Sequence, residues 1–121
     1  MNMSDAETAY KAAERTIESV RSNGGGVLDM YGKAYNDLIE LPNSISQLTS
    51  LTRLNLRDTQ VSDLTPIARL TALEMLDLTN TQVSDLAPIA PLTALTALFF
   101  SNTQVNDLGP IAPLTTLTQL D

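Results

Sequence analysis

Carboxylates are the main side chains in this sequence that could carry chemistry, because it contains neither histidine nor cysteine. Their absence removes the commonest general base, any disulfide and any cysteine-based nucleophile or metal site. Asp63, Asp85 and Asp107 recur every 22 residues and could be taken for a metal-binding or acid–base cluster. A turn that needs the same cap in each copy of a repeat explains them better. We therefore expect no enzyme activity, no catalytic residue, no metal and no cofactor.

A second candidate motif is the run Gly24-Gly25-Gly26, since glycine-rich loops can cradle phosphates. A phosphate-binding loop follows a strand, opens a helix and continues into Lys-Ser or Lys-Thr. Here the continuation is absent and the run precedes a predicted strand. We interpret these glycines as a helix cap and linker.

Charge argues against nucleic acid as a partner. Seven basic residues face fourteen acidic ones, for a formal charge of −7, and the last basic residue is Arg69. Such a field repels phosphate backbones and anionic membranes. No apolar run approaches the ~20 residues that span a bilayer, and Met1 to Val20 lacks the apolar centre of a signal peptide. We expect a cytoplasmic protein.

The elements that position these side chains come from a repeat of 22 residues. The units LTRLNLRDTQVSDLTPIARLTA, LEMLDLTNTQVSDLAPIAPLTA and LTALFFSNTQVNDLGPIAPLTT follow one another from Leu51 without a gap, and LTQLD opens a fourth at Leu117. Seven apolar columns recur at this period, beginning at Leu51, Leu54, Leu56, Val61, Leu64, Ile67 and Leu70.

The spacing LxxLxLxxTxV resembles the leucine-rich-repeat signature, and the 22-residue unit resembles the internalin-type bacterial subclass over Leu51 to Asp121. The resemblance implies an α/β right-handed solenoid (horseshoe) with parallel strands on the concave face and short 3-10 turns on the convex face. The family usually has Asn where this chain has Thr59, Thr81 and Thr103. A threonine hydroxyl can also hydrogen-bond the backbone of the turn that leaves the strand.

Alternation of side chains along a strand predicts which residues of a unit are buried. Leu54 and Leu56 point into the core, whereas Arg53, Asn55 and Arg57 face the concave surface. Each aspartate of the 22-residue series can cap a short 3-10 turn whose first residues include proline. Stacking then buries the leucines that no single unit can bury alone.

The N-terminal part predicts a helix from Ser4 to Arg21. Ser4 and Glu7 form a capping box, and we expect Glu7–Lys11 and Glu18–Arg21 ion pairs on the polar face. The apolar stripe of the helix would cap the solenoid and consists of Ala6, Ala9, Tyr10, Ala13, Ile17 and Val20.

A first, longer unit follows the helix. VLDMY, residues 27–31, predicts a strand in which Leu28 and Met30 match Leu54 and Leu56, and Tyr31 to Asp37 predicts a protruding turn. The motif LxxLPxSIxQLTxL resembles the N-terminal end of cytoplasmic bacterial leucine-rich-repeat proteins, including those that precede a Roco-type GTPase. The predicted organisation is a capping unit, 1–26, and a solenoid, 27–121, with units 27–50, 51–72, 73–94, 95–116 and 117–121.

We expect binding residues at outward positions that differ from unit to unit, while the core positions stay the same. Phe99 is the only aromatic in the concave columns of the 22-residue units, diagonal to Met75, and exposed aromatic and methionine side chains form contact hot spots. Tyr31 and Tyr35 form a second candidate patch. The predicted protein-binding residues are Arg53, Asn55, Arg57, Met75, Asp77, Thr79, Phe99 and Ser101.

The favoured function is protein–protein interaction through the concave strand face. Two alternatives stay open: the sensory or autoregulatory N-terminal region of a larger signalling enzyme such as a Roco-type GTPase, and a host-directed bacterial effector. At the C-terminal end, no following unit covers Leu108, Ile111, Leu114, Leu117 and Leu120. We expect either further repeats or self-association of two copies through this end.

Overall fold

The structure, a computed structural model, describes residues 4–121; the first three residues of the predicted capping unit lie outside it. Helix α1 spans Asp5–Asn23. Five strands follow, β1 (Val27–Asp29), β2 (Arg53–Asn55), β3 (Met75–Asp77), β4 (Ala97–Phe99) and β5 (Gln119–Leu120). Short 3-10 helices connect them, at Lys33–Tyr35, Asn43–Gln47, Thr65–Ile67, Ala87–Ile89 and Gly109–Ile111.

The five strands form one parallel sheet in chain order, β1 to β5. Residues one repeat apart lie side by side, so that Leu54 pairs with Leu76 and Leu76 with Leu98. Leu28 pairs with Leu54 despite the longer first unit. These pairings confirm the predicted register, and with the 3-10 turns they form the solenoid that the repeat predicts.

The interior of the solenoid is a continuous apolar stack. Leu54, Leu76 and Leu98 are fully buried, since each is covered by the units on either side. The buried Thr59 and Thr81 donate their hydroxyl protons to the carbonyl oxygens of Leu56 and Leu78, at 2.8 and 2.7 Å. Threonine thus supplies the turn hydrogen bond at the position where the family usually has asparagine.

In each of the three 22-residue units, an aspartate accepts hydrogen bonds at the start of the 3-10 turn on the opposite side. The Asp63 carboxylate accepts hydrogen bonds from the backbone N–H and the hydroxyl of Thr65, at 2.9 and 2.6 Å. Asp85 and Asp107 accept the backbone N–H two residues further on, each at 2.9 Å. The predicted capping role of the aspartates is confirmed, and the carboxylates that resembled a cluster are hydrogen-bonded within their own turns.

Helix α1 caps the first unit with its apolar stripe, burying Ala9, Ala13 and Ile17. The capping box of Ser4 and Glu7 is present. Gly24 ends the helix in the left-handed conformation, with φ 63°, which glycine adopts without a Cβ clash. Within residues 4–121, no helix is long and apolar enough to cross a membrane.

The ion pairs of the helix differ in part from the prediction. Arg21 binds Glu18 at 2.6 Å, as expected. Lys11, however, lies 3.5 Å from Glu14 and not beside Glu7. The Glu7 carboxylate is held by Ser4 in the capping box, which directs it away from Lys11.

The extra residues of the first unit do not simply protrude. Part of them, Lys33–Tyr35, forms a 3-10 helix against α1, and the Tyr35 hydroxyl lies 2.7 Å from the Thr16 hydroxyl. Tyr31 stays 52% exposed. The two tyrosines therefore do not form one surface patch.

Two of the predicted core columns open to solvent at their C-terminal ends. Leu108 is 45% exposed and Leu120 is 49% exposed, whereas Leu64 and Leu86, in the column of Leu108, are 1% exposed. In the described chain no further unit covers them. This exposure agrees with the expectation that no following unit covers Leu108 and Leu120, whereas Ile111 and Leu114, which were expected to be uncovered as well, are buried at 5% and 4% exposure.

Candidate functional site: the strand face

The outward side chains of the five strands form one surface, which we call the strand face. Burial alternates along the strands, with the central residue of β1, β2 and β3 buried and its neighbours more exposed. The pairing register aligns the outward residues in three columns. These are Val27, Arg53, Met75, Ala97 and Gln119, then Asp29, Asn55, Asp77, Phe99 and Asp121, then Tyr31, Arg57, Thr79 and Ser101.

All eight predicted binding residues lie in these columns, but their exposure differs. Arg53, Arg57 and Ser101 are exposed. Ala97 is 7% exposed, because its short side chain does not rise above its neighbours. Phe99 lies diagonal to Met75 across β3 and β4, and its ring is partly covered. The half-buried members are Asn55, Met75, Asp77, Thr79 and Phe99.

Two of the predicted binding residues also cap the end of their own strand. The Asn55 side-chain oxygen accepts the backbone N–H of Arg57 at 2.9 Å, and the Asp77 carboxylate accepts that of Thr79 at 2.9 Å. Asparagine and aspartate commonly close a turn in this way. An Asn or Asp at the same point of two successive units is the sequence signal for these caps, and it accounts for the two side chains without a binding role.

A hydrogen-bonded ladder runs along the rim of the strand face. Asp58, Asn80 and Asn102 adopt positive φ angles of 62°, 58° and 57°, which Asp and Asn tolerate better than other side chains. The Asn80 amide donates to the Asp58 carboxylate, and the Asn102 amide donates to the Asn80 oxygen, both at 2.8 Å. The ladder links three successive turns and was missed from the sequence.

The strand face carries cationic side chains, although the chain as a whole is acidic. The Arg57 guanidinium lies 3.9 Å from the Asp58 carboxylate, a distance that gives a weak surface pair. Arg53 has no carboxylate of residues 4–121 within 4.0 Å. The N-terminal half of the face can therefore attract a negatively charged group.

A separate open groove lies between helix α1 and the turn after β1. Its lining is mainly apolar, with Ile39 52% exposed, and the sequence analysis did not single it out. Within the described residues, no group of three or more acidic side chains is placed to hold a metal ion. The groove is lined by Ala6, Glu7, Tyr10, Lys11, Ile39 and Glu40.

Comparisons with known proteins agree with the repeat and the fold. A family model of leucine-rich repeats (two copies) matches residues 49–91. The crystal structure of internalin C2 from Listeria monocytogenes is similar, with a TM-score of 0.64 and 25% identity over 93% of this chain and 72% of that chain. A search of the curated proteins gives no match.

A second similar structure is an internalin (inlF) from Listeria monocytogenes, with a TM-score of 0.56 and 31% identity. The match covers 74% of this chain but 32% of that chain, so this chain spans about a third of its length. Leucine-rich-repeat domains are generally protein-interaction modules and typically non-enzymatic scaffolds. Repeat sequence, solenoid and comparisons together support a bacterial leucine-rich-repeat protein whose fold is similar to that of the Listeria internalins.

Proposed function

We propose that this chain is a non-catalytic module that binds another protein through its strand face. The observation that carries the proposal is a contrast within one sheet. The inward column keeps Leu54, Leu76 and Leu98, whereas the adjacent outward column changes from Arg53 to Met75. Packing explains a constant interior, and a variable surface on a rigid scaffold is where recognition residues are expected.

The strand face contains the side chains that protein interfaces favour. Aromatic, methionine and arginine side chains are enriched in interfaces, and tryptophan, tyrosine and arginine predominate among hot spots. Phe99 and Met75 are partly exposed neighbours on this face, and Arg53 lies in the column of Met75. We therefore place the centre of the partner contact at β3 and β4.

The test is a pull-down from the native cytoplasm with the wild-type chain and three single variants. Phe99→Ala and Met75→Ala should reduce recovery of a partner, because each removes exposed apolar contact area. Arg69→Ala, on an exposed residue outside the strand face, should leave recovery unchanged. Circular dichroism of each variant shows whether the fold is intact.

A partner recovered equally by all variants would contradict binding through the strand face. A loss of folding in Phe99→Ala comparable to that of a core variant would contradict the interface role of Phe99. Affinity measured by calorimetry with the purified partner then separates weaker binding from lower protein quality.

We propose a cytoplasmic location, as expected from the sequence. The formal charge of −7 disfavours nucleic acid and anionic membranes as partners. We also propose self-association through the end of the solenoid that exposes Leu108 and Leu120. Membership of a larger signalling enzyme or of an effector stays a prediction, and the reading frame that encodes the chain tests it.

A further inference from the structure

One strand-face position changes its role between units. Asn55 and Asp77 each accept the backbone N–H two residues further on and so close the turn after β2 and β3. Phe99 occupies the same position in the next unit and has no acceptor atom in its side chain. The backbone N–H of Ser101 accordingly has no side-chain acceptor among residues 4–121.

Folding alone does not account for phenylalanine at this position. The ring gives up a turn-closing hydrogen bond that both preceding units have, and it stays partly exposed. Its neighbours in the register are Asp77, across β3, and Met75 on the diagonal. At this position an apolar side chain replaces one that would stabilise the turn, and it remains partly at the surface. Such a loss of stability is expected at a binding site, because stability and function often make opposite demands.

The charge on the same face limits the partner. Arg53 lies on β2 without a carboxylate of residues 4–121 within 4.0 Å. From a strand spacing of ~4.8 Å and a rise of ~3.3 Å per residue, the Cα atoms of Arg53 and Phe99 lie about 12 Å apart. An extended segment covers that distance in about four residues.

We propose that Phe99 is the specificity-determining anchor of the strand face and that its occupant is an extended segment of a partner protein with one apolar side chain and one carboxylate. The segment places an apolar side chain against Phe99 and Met75, and a carboxylate about four residues away against Arg53. This inference rests on the proposed function and adds the chemistry of the partner. Charge complementarity selects the carboxylate, since Arg53 is a cation without a partner in the described chain.

The first half of the test measures thermal stability, in order to distinguish a binding role of Phe99 from a structural role. Phe99→Asn restores the acceptor that Asn55 and Asp77 provide in units 51–72 and 73–94, without adding a charge opposite Asp77. This variant should melt at the wild-type temperature or above it. If it melts at a clearly lower temperature, as a core variant does, Phe99 has a structural role and the proposal is overturned.

The second half measures binding with short peptides. Random peptides displayed on phage are selected on the full wild-type chain, and a selected peptide is synthesised for affinity measurements. Selected sequences should contain Asp or Glu about four positions from an apolar residue. Phe99→Asn, which removes the ring without adding a charge, should weaken binding at least about tenfold. Arg53→Gln should weaken it and reduce its salt dependence, whereas Arg69→Gln, with the same charge change, should have no effect.

The remaining outcomes distinguish the two proposals. This inference is overturned by peptides without acidic residues. It is also overturned by peptides that lose affinity for Arg57→Gln and Thr79→Ala but not for Phe99→Asn. Either outcome leaves the strand-face function standing. Peptides that no strand-face variant affects overturn both. A selection that enriches no peptide overturns the extended-segment occupant, and the pull-down then decides the function.

Discussion

The hydroxyl oxygens of Thr16 and Tyr35 lie 2.7 Å apart and join helix α1 to the extra residues of the first unit. Thr16 also donates its hydroxyl proton to the Ala12 carbonyl, at 3.0 Å. Because threonine has one hydroxyl proton, Tyr35 is the donor in the bond between the two side chains. The longer first unit thus has a structural purpose, which is to hold the capping helix.

Removing this bond should loosen the cap. Tyr35→Phe deletes the donor at a partly buried site, and we expect a loss of about 0.5–1.5 kcal/mol in the free energy of unfolding. Urea denaturation measures it, and hydrogen exchange should show faster exchange in helix α1. Tyr31→Phe is the matched control, because Tyr31 is exposed and its hydroxyl has no hydrogen bond within residues 4–121. Equal effects of the two changes would argue against the docking role.

The column that contains Leu76 and Leu120 allows the same substitution to be compared at a buried and at an exposed position. Leu76→Ala should destabilise the protein by about 2–5 kcal/mol, because it opens a cavity between two units. Leu120→Ala, in the same column but 49% exposed, should have a much smaller effect. Chemical denaturation of both variants checks this. Similar midpoints for the two would show that the assigned register does not describe the packing.

The buried threonines should matter through their hydroxyl groups. Thr81→Val keeps the shape of the side chain but leaves the Leu78 carbonyl without its side-chain donor, and we expect a loss of about 1–3 kcal/mol. Thr81→Ser keeps the hydroxyl and should lose less. If serine at this position destabilises the protein more than valine, side-chain packing and not the hydrogen bond is the main contribution of Thr81.

The turn at Asp63 predicts a pH dependence. The hydroxyl of Thr65, and then its backbone N–H, hold the pKa of the Asp63 carboxyl below its ordinary value. A lowered folded-state pKa means that the stabilisation is present above the pKa of the unfolded chain and is lost as the pH falls through the folded-state pKa. Thr65→Ala should therefore raise the pKa of Asp63. Carbon-13 NMR titration measures it, and an unchanged titration would argue against the hydroxyl as the main cause.

The exposed end of the solenoid predicts association of this 121-residue chain. Leu108 and Leu120 are about half exposed beside the two-residue edge strand β5, and an uncovered strand edge pairs readily with another chain. Light scattering should show dimers at high concentration. The double change Leu108→Lys and Leu120→Lys should restore the monomer, and a wild-type chain that stays monomeric would contradict the proposal.

The 22-residue period predicted a stack of like units, and the resemblance to leucine-rich repeats implied its solenoid form. Stacked units of the same sequence align the same columns, because a shift of one residue would turn the buried leucines of a strand to the other face. Leu54, Leu76 and Leu98, the threonine turns and the aspartate caps could therefore be assigned from the sequence. The start of the helix could be predicted from Ser4 and Glu7 and its end from Gly24, since local hydrogen bonds need only neighbouring residues.

Only the tertiary structure decided which polar side chains are hydrogen-bonded within the protein. The Tyr35–Thr16 contact joins residues that no repeat or local pattern brings together. The period does align Asp58, Asn80 and Asn102, but the hydrogen bonds between their side chains appear only in the structure of the turns. The turn-closing bonds of Asn55 and Asp77 depend on side-chain directions at the end of a strand. Exposure at Leu108 depends on whether another unit covers it, and a column pattern is the same with or without that neighbour.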